Sequence, residues 1–281
     1  MFDVNKPFFK GEDFFRPEFI KKNKIHTMFG EINTKQSMQI IKNQHLLQHY
    51  TFNNNGQLEK YTYTYYNGNK IDTNVIFYEY DNYGNLIKLR QSDKFGFTTT
   101  DFEYDANNHL IKKTTAREEN RFASKTKFEL KRKYELSSET YEYKELSPTQ
   151  HQQKFYNNAG RLYKIKNIYF DSLGYKKSEE SKFIIGGQRE IITYQYDSIG
   201  RINKRTIEVI YSGIRNKEYY TYKYDEFGNV MQVKHYKGEL LEYQQELVYY
   251  PETRLLKGLI EKDAGTEMLT IIKYQYTFFD E

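Results

Sequence analysis

The stretch YEYDNYGNL (78–86) decides the fold, because it comes back. YTFNNNGQL (50–58), FEYDANNHL (102–110), YQYDSIGRI (194–202) and YKYDEFGNV (222–230) share its order: aromatic, any residue, aromatic, Asp or Asn, two variable residues, Gly or Asn, a polar residue, an apolar one. KFYNNAGRL (154–162) lacks the first aromatic, IYFDSLGYK (168–176) is a weaker copy, and YYPETRLL (249–256) and YTFFDE (276–281) are eroded ones. The anchoring aromatics Phe52, Tyr80, Tyr104, Tyr156, Phe170, Tyr196, Tyr224 and Tyr250 fall mostly 24 to 28 residues apart. From Tyr104 to Tyr156 the gap is 52, so a degenerate copy is expected near 128–145.

The pattern has a mechanical reading. Asp or Asn opens a type I turn by bonding the backbone two residues on. Gly three residues later takes the left-handed conformation at little cost, and Asn108 is the next best choice. The two together predict a three-residue hairpin loop closed by a bulge, with positive φ at Gly84, Gly160, Gly200 and Gly228. Asp81 then faces Asn85, Tyr80 faces Leu86 and Tyr78 faces Lys88. Lys recurs four residues after the turn at Lys60, Lys88, Lys112, Lys164 and Lys204, with Gln232 the exception. The expectation is a ladder in which each Lys stem covers a ring.

Between copies lies a second strand and a looser turn, at Asn67-Gly68, Lys94-Phe95-Gly96, Gly186-Gly187, Ser212-Gly213 and Lys237-Gly238. Each period is therefore two antiparallel strands, and the chain holds about 18–20 of them, each ~8–10 residues long. Twenty strands would make a flat sheet about 95 Å wide, whereas twisted sheets curl well before that. The fold class is all-β: one long antiparallel up-and-down meander, residues 24–281, curled into an open barrel or spiral. Residues 1–23 differ. Pro17 followed by Glu18 suits the first turn of a short helix, and Phe14, Phe15, Phe19 and Ile20 can pack on the first strands as a cap over the sheet's first edge.

Composition agrees. Of 281 residues 17% are aromatic, 29 Tyr and 20 Phe with no Trp, so the core is largely phenolic. Cysteine is absent, which excludes a disulfide framework, a thiol nucleophile and Cys-based metal sites. The net charge of +5 is spread thinly. No apolar run long enough for a transmembrane helix is present, and no apolar segment follows Met1 as a signal peptide would.

YDNYGNL, YDSIGRI, YDEFGNV and NNAGRL resemble the YD repeats of Rhs proteins, teneurins and Tc-toxin shell subunits, over roughly residues 45–281. The resemblance implies long strands spiralling into a hollow shell, an association with carbohydrate, and a place at or beyond the cell envelope. The Rhs core signature and a toxin domain are missing, so the family's self-cleavage does not carry over. A short stand-alone repeat protein is the expectation.

Chemistry is sparse. There is no GxGxxG, P-loop or GxSxG. His45 and His49 sit four apart, but Leu46 stands where a zinc-binding helix needs Glu, and they read as ordinary strand histidines. Glu118-Glu119 and Glu179-Glu180 point to opposite faces of a strand and read as solvated surface. No cofactor and no metal are expected, and the chain is read as non-enzymatic. The densest Tyr stripes supply the candidate ligand-binding residues: Tyr61, Tyr63 and Tyr65, and Tyr220, Tyr222 and Tyr224. Exposed Tyr rows stack on sugar rings or grip a peptide. Lys125, Lys127, Lys131, Arg132 and Lys133 form a basic run suited to an acidic partner, in what reads as a projecting hairpin.

The function expected is a binding or scaffold protein for cell-surface carbohydrate or a protein partner. The alternatives are a shell-like accessory holding a toxin or secretion-system cargo, and an outer-membrane-associated β-barrel-like protein. Nucleic acid is not expected, because the lysines recur for a structural reason. Strands such as KYTYTYYNG and GFTTTDFEYD lack the continuous aliphatic band that a lipid-facing wall needs.

Overall fold

The computed structural model describes Met1 and residues 15–280, apart from 94, 123 and 128. One short helix, α1 (Pro17–Lys22), precedes 18 strands: β1 (Ile25–Lys35), β2 (Lys42–Phe52), β3 (Leu58–Asn67), β4 (Lys70–Tyr80), β5 (Leu86–Ser92), β6 (Gly96–Tyr104), β7 (Leu110–Asn120), β8 (Leu130–Ser147) and β9 (Gln150–Tyr156), then β10 (Leu162–Phe170), β11 (Lys176–Phe183), β12 (Arg189–Tyr196), β13 (Ile202–Tyr211), β14 (Ile214–Tyr224), β15 (Val230–Lys237), β16 (Leu240–Tyr249), β17 (Leu256–Asp263) and β18 (Leu269–Phe278). Each pairs antiparallel with the next, and β1 pairs with β18, from Ile25 opposite Phe278 to Lys35 opposite Leu269. The sheet is thus a closed barrel rather than an open one. Closure leaves no free edge among these strands to protect.

The turns are built as the repeat dictates. At Asn53, Asp81, Asp105, Asn157, Asp171, Asp197 and Asp225 one side-chain oxygen accepts from the N–H groups two and four residues on. Gly84, Gly160, Gly200 and Gly228 have φ of 90, 67, 84 and 83°, and Asn108 has 61°.

Three expectations are corrected. First, the register beyond the turn slips by one. Tyr80 faces Leu86, but Ile87 is an extra residue, so Glu79 faces Lys88 and Tyr78 faces Leu89. The same bulge sets Glu103 opposite Lys112 and Gln195 opposite Lys204. The lysines therefore sit on the face away from the Tyr rows, where Lys112 pairs with Glu103 at 3.1 Å. Lys164 is the exception in facing the lumen, opposite Phe155 with Nζ 3.8 Å from the ring centroid, and Lys204 covers a ring of the outer wall, Tyr219, at 4.4 Å.

Second, 128–145 holds no degenerate copy of the repeat turn. β8 is one strand of 18 residues. Three strands, not four, separate the 105–109 turn from the 157–161 turn, so the latter lies on the opposite rim. The contacts agree: Phe170 N–H bonds Thr149 O at one end of β10, and Ile184 N–H bonds Tyr163 O at the other.

Third, the described part of the N-terminal segment, Met1 and residues 15–23, caps a mouth of the barrel, not a sheet edge. Ile20 and Ile25 are fully buried, and Phe15 meets Tyr50 and Phe52 edge-on with centroids 5.1 and 4.9 Å apart. Phe14 lies outside the described residues. The cap joins one apolar cluster with Tyr50 and Phe52 of β2, Tyr78 of β4, Tyr194 of β12, Tyr222 of β14 and Leu247 of β16. Strands so far apart in the ring can meet only across the lumen, so this is the inward face. An unbroken inward row runs Tyr276, Met28, Tyr50, Tyr61, Ile76, Gln91, Thr98, Arg117.

The capped rim is also clasped. Tyr80, Tyr104, Tyr196, Tyr224, Tyr249 and Tyr276 each donate a phenol hydrogen bond of 2.5–2.9 Å to the carbonyl at or beside the start of the preceding strand. The chain's accessible surface is 17097 Å², against about 13,000 Å² for a compact monomer of this mass, as expected of a ring of strands around a lumen. Eighteen strands at ~4.8 Å with a tilt of ~40° enclose a ring about 35 Å across.

Candidate functional site

Among the described residues the barrel is a cup, capped at one rim only, and its lumen carries two aromatic rows. The first descends β3. Tyr50 stacks on Tyr61 at 4.5 Å and 8°, Tyr61 on Tyr63 at 5.2 Å, and Tyr63 lies 6.2 Å from Tyr65. Period-2 alternation puts Tyr61, Tyr63 and Tyr65 on one face. The row runs from Tyr50, 4% exposed at the floor, to Tyr65, 38% exposed near the mouth. Tyr63 Oη accepts from Asn74 Nδ2 at 2.7 Å, and Tyr65 donates to Asp72 Oδ2 at 3.2 Å. Burial pushes the Tyr61 phenol up to about 12.

The second row lies on β14, seven strands away round the ring. Tyr220 stacks on His235 of β15 at 4.4 Å and 18°, and His235 meets Tyr243 of β16 at 5.0 Å. Toward the floor Tyr222 is buried, and Tyr224 spends its hydroxyl on Ile202 O at 2.5 Å with Arg201 over its ring. Beside this row Arg205 stands opposite both Tyr194 and Tyr220. His235 Nε2 lies 3.1 Å from Glu218 Oε2. Arg205 Nε, His235 Nδ1 and Gln245 Oε1 are buried with no protein partner. A buried polar atom left unpaired costs about 1–3 kcal/mol; Thr99 Oγ1 and Gln232 Oε1, on the outward face, share this state.

Between the rows, β8 to β12 supply charge. Glu179 is held by Lys166 and Lys176 Nζ at 3.1 and 2.9 Å and by the Tyr194 hydroxyl at 2.9 Å. Burial alone would raise this carboxyl, but the two lysines outweigh it and lower it to about 2. Glu139 accepts from Tyr141 and Tyr163.

All six tyrosines named from the sequence face the lumen, not an open shallow sheet. Tyr63, Tyr65 and Tyr220 line the accessible part, Tyr61 and Tyr222 form its deeper wall, and Tyr224 belongs to the clasp. The basic run does not gather into one patch. Lys125 bonds Asp72 at 2.6 Å and the Thr73 carbonyl, Lys133 bonds Asp101, and Lys127 lies 5.1 Å from the Phe122 ring. Lys131 and Arg132 are exposed. The hairpin tip thus folds back to β4 instead of projecting.

The carboxylate doublets are not solvated surface: Glu118 and Glu179 are 4% and 9% exposed. Glu118 joins Glu79 in gripping Arg90 on the outward face of β4–β7, where Val75, Phe97, Thr99 and Ala116 are also buried. His45 and His49 are strand residues, and among the described residues no group of three metal-ligating side chains occurs. Sequence reading missed Arg205, His235 and Gln245, which gain meaning only from their cross-strand neighbours.

No known protein family matches the sequence, and no curated protein does. Among solved structures the chain is similar to a porin-like protein from Bacteroides uniformis, at 10% identity and a TM-score of 0.43, covering 91% of this chain and 97% of that one. A porin-like protein from Bacteroides vulgatus aligns at 11% identity and a TM-score of 0.34, covering 88% and 97%.

Proposed function

We propose that this chain is a non-enzymatic binding protein of the cell envelope: a β-barrel cup of YD-repeat type that takes a guest into its lumen through the uncapped mouth. The observation that carries the reading is the two aromatic rows on the lumen wall, the second backed by the polar side chains of Arg205, His235 and Gln245. Flat rings flanked by fixed donors and acceptors suit a sugar ring, which offers an apolar face and a rim of hydroxyls. Carbohydrate is therefore the first ligand class.

The closed barrel fits the outer-membrane-associated alternative better than it fits an open scaffold sheet. Association beside a bilayer is favoured over passage through it. Opposite the lumen-facing residues the strands carry Glu31, Lys60, Lys112, Glu180, Lys204 and Lys234. A charge on a lipid-facing barrel wall costs about 2–4 kcal/mol at the bilayer midplane, and six would not be borne.

The test is a glycan-array screen followed by calorimetry with the sugar class that binds. Tyr65→Ala and Tyr220→Ala should each weaken binding at least tenfold, whereas Tyr219→Ala, on the outer wall, should not. An equal loss in all three, or none in any, would remove the lumen as the site.

A further inference from the structure

The two rims differ in charge as well as in closure. On the capped rim every Asp of the repeat turns is found: Asp81, Asp105, Asp171, Asp197 and Asp225. The one turn of this kind on the uncapped rim carries Asn157. Nine connections form the uncapped rim, and most end in an apolar side chain held out in water. Met38 is 101% exposed, Ile40 81%, Phe95 71%, Ile185 84%, Ile214 63% and Leu240 74%. The capped rim holds apolar tips out as well, at Tyr83, Leu173, Ile199 and Phe227, so charge and not exposure tells the two rims apart.

Cations stand beside these tips. Exposed Lys42 follows Ile40, exposed Lys70 stands at the neighbouring β3–β4 turn, and exposed Arg215 and Lys217 follow Ile214. Lys127, Lys131 and Arg132, exposed members of the basic run, belong to the same rim. Exposed carboxylates on this rim are Asp93 and Glu129 at the β5–β6 and β7–β8 connections and Glu239, Asp263 and Glu267 at the β15–β16 and β17–β18 turns; within the second arc Arg215 pairs with Glu208 at 3.3 Å, which leaves Lys217 the unshared cation of the two. The two basic and apolar arcs, at β1–β4 and β11–β14, lie on opposite sides of the mouth. A groove-binding peptide meets one arc; a plane meets both.

We infer that the uncapped rim docks on the surface of a membrane rich in anionic lipid, with the apolar tips inserted at headgroup level and the lysines and arginines against the phosphates. The mouth of the cup then faces the bilayer. This goes beyond the lumenal reading and does not depend on which guest the lumen holds.

The experiment is flotation of the purified chain with vesicles of phosphatidylcholine alone and with phosphatidylglycerol added. Binding should require phosphatidylglycerol and fall in high salt. Lys42→Gln and Lys217→Gln should each weaken it by about fivefold, the effect of one cation near an anionic surface. The triple variant Ile40→Ser, Ile185→Ser, Ile214→Ser should abolish flotation with its melting temperature unchanged, because these side chains bury nothing. Leu173→Ser with Phe227→Ser, on the capped rim, should leave it intact. Three results would overturn the inference: no flotation, equal flotation on neutral vesicles, or self-association in solution that the triple variant abolishes, which would make this rim a face between copies.

Discussion

A single tyrosine shows how far the repeat is specified by chemistry. Tyr224 packs its ring in the lumen floor and points its hydroxyl at Ile202 O, and five other anchoring tyrosines do the same. Phe would fill the space and orphan the carbonyl. Tyr224→Phe should therefore cost about 1–2 kcal/mol in urea unfolding; a loss under a few tenths would mean that the clasp is incidental.

Two glycines make a cleaner comparison. Gly56 and Gly160 have similar φ, 79 and 67°, so Ala carries the same left-handed penalty at both, about 1 kcal/mol. A Cβ at Gly56 would lie 2.1 Å from the Pro17 carbonyl oxygen, while at Gly160 nothing lies within 4 Å. Gly56→Ala should lower the melting temperature well beyond Gly160→Ala, because it unseats the cap. Equal effects would contradict the seat.

Glu179 supplies a pH test. Its carboxyl is lowered from 4.5 to about 2, so its contribution to stability is present above the ordinary carboxylate pKa and is lost as pH falls toward 2. Glu179→Gln should flatten the fall in melting temperature between about pH 4.5 and 2. An unchanged acid profile would mean that the lysines do not hold it.

At the scale of the hairpin, the sequence carried the turn and its immediate register and lost the rest. Asp, the spacing and Gly determine the loop locally, so Tyr80 opposite Leu86 could be read directly. Ile87 could not be read as an extra residue, because a bulge is a choice of pairing and not of composition. The swap of rims was legible in one number: Tyr156 and Phe170 are 14 residues apart, half a period, which is one strand. Arg205 and His235 lay beyond reach, since each needs neighbours on other strands. The chain's lack of cysteine allows a direct check with spin-label pairs. Labels at Ala159 and Ile185 should lie within about 15 Å, and labels at Ala159 and Leu173 about 30 Å apart, the length of β10. The reverse order would return the 157–161 turn to the capped rim.

For the whole molecule, everything functional follows from closure. An open spiral would expose the Tyr rows as a shallow face; a ring turns them inward and makes a lumen with a floor. The strand that closes it, β1, lies just before the first repeat copy, and its Gly30 sits opposite Tyr274 with only 2.7 Å between an added Cβ and that ring. No repeat pattern announced that pairing, which is why the sequence left the sheet open. The decisive measurement is a disulfide between Phe29→Cys and Gln275→Cys, directly paired positions on β1 and β18. Rapid, complete and intramolecular oxidation of the folded double variant is the predicted result. Free thiols, or cross-links only between chains, would mean that the two edges are apart and that no cup exists.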